Sequence, residues 1–126
     1  MSIVNYIYLC LIWSACTPTH IKKNNEFIQK VHIQRLPGVN DKGLYGPPNG
    51  LVSLSYEFCI PREQKYIDEI KSIDTTVQIS KSSGRIGCSK DQYLCLGHTA
   101  QENYLQVLEG LARKEYIHRI EEAWFE

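Results

Sequence analysis

The run LVSLSYEFCIPREQKYIDEIKSID, residues 51–74, changes its hydrophobic period part-way along, and that change decides the fold. Up to Pro61 it alternates, with Val52, Leu54, Tyr56, Phe58 and Ile60 on one side and Ser53, Ser55, Glu57 and Cys59 on the other. Strict alternation is the mark of a half-buried strand. After Pro61 the apolar positions are Ile67, Ile70 and Ile73, which is helical spacing. Pro61 is tolerated in a first helical turn, and Glu63 suits the positive end of the helix dipole.

Downstream, TTVQISKS (75–82) reads as a second strand through Val77 and Ile79, and DQYLCLGH (91–98) as a third through Leu94 and Leu96. Thr99 and Glu102 form the T-x-x-E of a capping box. The helix it would open carries Tyr104, Val107, Leu108 and Leu111 on one face. YIHRIEEAWF (116–125) mixes β-branched and aromatic residues and reads as the last strand. Strand, helix, strand, strand, helix, strand resembles the split βαβ of the ferredoxin-like fold. That resemblance implies an α+β domain over residues 51–126, a four-stranded antiparallel sheet of order 4-1-3-2, and both helices on one face. It is a resemblance of fold and brings no activity with it.

GRIGCSKDQYLCLGHT (84–99) concentrates the chemistry. In that topology Cys59, Cys88 and Cys95 fall at one end of the sheet. Alternation places Cys59 and Cys95 on the face away from the helices, so Cys59 is expected to bridge to Cys95 or to Cys88. No metal or other cofactor is expected, because Cys88, Cys95 and His98 lack the closely spaced pair of common zinc sites. His98 would also stand about 10 Å beyond Cys95 along the strand. Candidate ligand-binding residues are Glu57 and Tyr93 on the open face, Arg85 in a tight loop between Gly84 and Gly87, and His98 beside the second helix. The terminal EEAWFE can present an aromatic partner site or serve the core. There is no G-x-S-x-G, H-E-x-x-H or C-x-x-C, so no residue is assigned a catalytic role.

Before this domain, residues 1–16 are mostly apolar and carry no charged side chain. The run is shorter than the roughly 20 residues of a membrane-spanning helix. Residues 1–15 resemble a signal peptide, and Ser14 and Ala15 before Cys16 resemble a bacterial lipobox, although Trp13 stands where that motif prefers Leu. The resemblance implies cleavage before Cys16 and a lipid on its thiol. Residues 16–50 read as a tether rich in Pro and Gly, in which Phe27, Val31 and Ile33 can add a short edge strand. Basic and acidic side chains number 14 each, which supplies no basic surplus for a nucleic-acid partner.

The expectation is a small exported lipoprotein held to the periplasmic or cell-surface side of a membrane. Its domain would bind a small molecule or a protein without catalysis. The alternative is a thiol- or metal-dependent enzyme or sensor using Cys59, Cys88 and Cys95. The strand order is also similar to that of inhibitor-like propeptides of subtilisin-type proteases, which implies a protease-binding module.

Overall fold

The computed structural model describes residues 28–124. The described strands are β1 (Val31–His32), β2 (Leu44–Tyr45), β3 (Val52–Ser53), β4 (Ser55–Pro61), β5 (Gln78–Ser80), β6 (Gln92–His98) and β7 (Ile120–Ala123). The helices are α1 (Gln64–Ile73) and α2 (Tyr104–Ala112). This is an α+β fold around a five-stranded mixed sheet of order β1-β7-β4-β6-β5. From β7 to β5 every pairing is antiparallel, and β1 adds to the edge of β7 in parallel. The expected four antiparallel strands are therefore corrected to five in a mixed sheet. The extra strand, β1, is the short edge strand that the stretch read as a tether could add at Val31. Among the described residues no helix is long and apolar enough to cross a membrane.

That stretch is packed as well as paired. Ile33 is 5% exposed, and Leu36, Val39 and Tyr45 pack against the same core. After β1 the chain turns, the Leu36 N–H donating to the Ile33 carbonyl at 3.1 Å, and runs into the short 3-10 turn Leu36–Gly38, where Pro37 fits the first positions. β2 and β3 form a separate small hairpin. Thr99 clamps that hairpin to the sheet, its hydroxyl donating to the Gly43 carbonyl (2.6 Å) and accepting the Leu54 N–H (2.9 Å). The hydroxyl is spent on the hairpin and Thr99 does not stand at a helix start, which corrects the capping-box expectation. α2 starts instead after Asn103, which takes a left-handed conformation (φ 56°) without a side-chain cap.

The alternation of β4 holds as read: Tyr56, Phe58 and Ile60 are fully buried and share one core with Leu54, Ile70, Leu108 and Leu111. β6 is the reverse of its expected setting. Phe58 faces Cys95 and Tyr56 faces Gly97, so Tyr93, Cys95 and Gly97 turn toward the helices, while Leu94 and Leu96 turn to the other face. A Cβ on Gly97 would lie 2.6 Å from the Tyr56 ring and 2.8 Å from Asp74 Oδ2, so the close approach of that ring needs a glycine. α1 ends where Asp74 turns extended and its Oδ1 accepts the Thr76 N–H (3.0 Å) and hydroxyl (2.6 Å).

Candidate functional site

One row of side chains crosses the face opposite the helices. His32 pairs with Glu121, Glu121 with Glu57, Glu57 with Leu96, and Leu96 with Gln78. Two carboxylates thus stand directly opposite each other on β7 and β4, an arrangement that destabilises a sheet unless it is compensated. Each has compensation. The Ile86 N–H donates to Glu57 Oε1 at 2.7 Å. Glu121 Oε1 has Arg119 Nη1 at 3.4 Å and His32 Nδ1 at 3.6 Å.

The loop between β5 and β6 supplies that N–H by folding over the sheet. Cys59 of β4 is bridged to Cys88 of the loop, with Cα atoms 5.5 Å apart. Ile86, Cys88 and Leu94 form a second, smaller buried cluster, against which Cys59 and Leu96 pack. Arg119 ties the loop down further by donating to the Ile86 carbonyl at 2.6 Å. Gly84 (φ +63°) turns the chain so closely to Leu94 and Glu57 that a Cβ there would sit 2.8 Å from a Leu94 methyl. Beneath this cover Glu57 is only 5% exposed.

Beside the covered patch, between β1, β7 and the loop, lies an open cavity of about 650 Å³. Glu57, Arg85, Glu121, His32 and Trp124 line it. Trp124 is 49% exposed, and the Arg35 guanidinium sits 4.3 Å from the centroid of its indole while Nε donates to Glu122 at 2.8 Å. The volume falls in the range of small-molecule sites.

The structure brings some sequence candidates together and separates others. Glu57 and Arg85 share the cavity. Tyr93 does not join them: it packs against the helix-side core, with Arg62 4.9 Å over its ring. His98 faces the same side as Glu57 but pairs with Ser55, outside the cavity lining, and its buried Nδ1 has no hydrogen-bond partner among the described residues. Of the two bridges weighed for Cys59, the one to Cys88 is present, and Cys95 is a free, buried thiol on the helix side. Burial, and then the charge of Asp74, pushes that thiol up to about 12, so it holds its proton at neutral pH. Among the described residues no group of three His, Cys, Asp or Glu is placed to hold a metal ion. Cys16 and the signal-like residues 1–15 lie outside the described residues.

Sequence reasoning gave no role to His32, and singled out Glu121 only as part of EEAWFE, where Ala123 serves the core and Trp124 is half exposed on the cavity. It also passed over a buried polar cluster ahead of α2. There Tyr56 donates its hydroxyl to Asp74, and Gln101 Nε2 donates to Asp74 Oδ1 (3.2 Å) and to the His98 carbonyl (2.8 Å). Burial foremost, then the Asp74 charge, raises the Tyr56 hydroxyl well above its ordinary range. This cluster joins β4, the end of α1 and the turn between β6 and α2, and none of its residues lines the cavity. No family model matches the chain, and no curated protein or solved structure matches it either.

Proposed function

We propose that this protein is an exported, lipid-anchored bacterial protein whose ferredoxin-like domain, extended by one edge strand, binds a small molecule or a protein partner without catalysis. The binding site is the cavity beside Glu57, Arg85 and Glu121. The observation that carries this reading is the loop bridged by Cys59 and Cys88, which sets Arg85 beside the cavity. Disulfides form and persist in oxidising compartments, so the bridge supports export. The apolar leader ahead of Cys16 supports the same route. Two or three acyl chains on Cys16 would hold the protein firmly at the membrane.

The test is partitioning of the full chain made in bacterial cells. The native sequence is expected in the detergent phase with Cys16 as its modified first residue, and Cys16→Ser in the aqueous phase with its domain folded. A native chain that stays aqueous, or a mature protein that retains residues 1–15, would remove the lipoprotein reading.

A further inference from the structure

Resting on the reading of this cavity as the binding site, its side chains also indicate what it takes. Each of its carboxylates already has a donor beside it: Glu57 accepts the Ile86 N–H, Glu121 lies beside Arg119 and His32, and Glu122 is bonded to Arg35. A cationic ligand would compete with Arg119, His32 and Arg35 for these carboxylates, and an anionic one would meet more carboxylates than cations. A neutral ligand does neither. A carboxylate has more lone pairs than one N–H fills, and a guanidinium more donors than one partner uses, so both can bind hydroxyl groups while keeping their pairs. Trp124, half exposed on the lining, adds a flat apolar surface. The Arg35 guanidinium over that ring limits its motion.

We infer that this cavity is a saccharide site: it takes an uncharged, polyhydroxylated ring whose C–H face lies on Trp124 and whose hydroxyls bond Glu57, Glu121 and Arg85. A wholly apolar ligand would leave those polar groups desolvated without new partners. A phosphorylated ligand would meet more carboxylates than cations at the lining. A ring with alternating hydroxyl and C–H surfaces satisfies both halves of the wall.

The experiment is amide NMR on the isotope-labelled full chain, in a detergent without a sugar headgroup. It is titrated to millimolar levels with neutral glucose, xylose and N-acetylglucosamine oligomers, and separately with a mixed tripeptide pool. Saturable shifts at His32, Glu57, Arg85, Glu121 and the Trp124 indole N–H with at least one oligomer are expected. Trp124→Ala should weaken that binding by roughly tenfold or more while the rest of the spectrum is kept. Glu121→Gln, which preserves shape, should weaken it less. Shifts of the same amides by peptides and not by any oligomer would overturn the saccharide assignment and leave the binding cavity standing. Silence from both would overturn the cavity reading as well.

Discussion

On the helix side of the sheet, Tyr56, Phe58 and Ile60 of β4 are fully buried among side chains from α1 and α2. On the other side of the same strand, Glu57 and Cys59 are covered by a loop that brings one bridge, one backbone N–H and Ile86. The helix side is closed by apolar area, which acts without direction and needs no single contact. The loop side is closed by few, specific bonds, and losing one of them opens it. That side also carries the cavity, where polar side chains remain within reach of a ligand. Binding surfaces are drawn from the less stable parts of a fold for this reason.

The contrast can be broken or sharpened by experiment. The largest effect is expected from Phe58→Ala, which empties a fully buried site of the helix-side core. It should cost about 3–5 kcal/mol in urea unfolding, with or without reductant. A cost under about 1 kcal/mol would mean that the two faces do not differ as described.

Reducing the Cys59–Cys88 bridge, or Cys59→Ser, should cost less, about 2–4 kcal/mol. Its location matters more than its size. Amide exchange should accelerate at 84–88 first, while the amides of β4 and β6 keep their protection. Equal acceleration across the whole sheet would show that the bridge holds the helix side too.

The smallest effect should come from Cys95→Ala at neutral pH, and it grows in alkali. The Cys95 thiol goes from 9.0 up to about 12 on folding, burial being the main cause. An acid raised on folding stabilises the native state fully below its unfolded value, and this contribution is lost as pH climbs from 9.0 toward about 12. Urea midpoints of Cys95→Ala should therefore fall less steeply over that window than those of the native chain. Parallel slopes would place Cys95 in contact with water, against its position on the closed side.

Much of this arrangement is legible in the sequence. The alternation from Leu54 to Pro61 and the isoleucines of α1 have the expected faces, whereas Val52, expected on the core face of the same strand, is 52% exposed in the separate β2–β3 hairpin; Cys59 bridges to one of its two expected partners. β6 was misread for a physical reason. Tyr93, Leu94, Cys95 and Leu96 are apolar at both parities, so alternation could not say which pair faces the helices. Thr99 was misread because its capping pattern is local, whereas its hydroxyl is engaged by Gly43 and Leu54, far away in sequence. Half of the cavity was visible as Glu57 and Arg85. His32 and Glu121 were not, since each gains its meaning only from a neighbour on another strand.

By itself, then, the sequence determined the kind and order of the main elements, because the periods of strand and helix are properties of a few consecutive residues. It also determined that the face bearing Glu57 and Cys59 would be polar along β4. Only the tertiary structure decided that this face is not left to water. Covering it depends on Cys88 and Ile86 coming across from a loop, and opening a cavity beside it depends on the edge strand β1 choosing β7 as its partner. Those pairings link residues tens of positions apart, and no local period carries information about them.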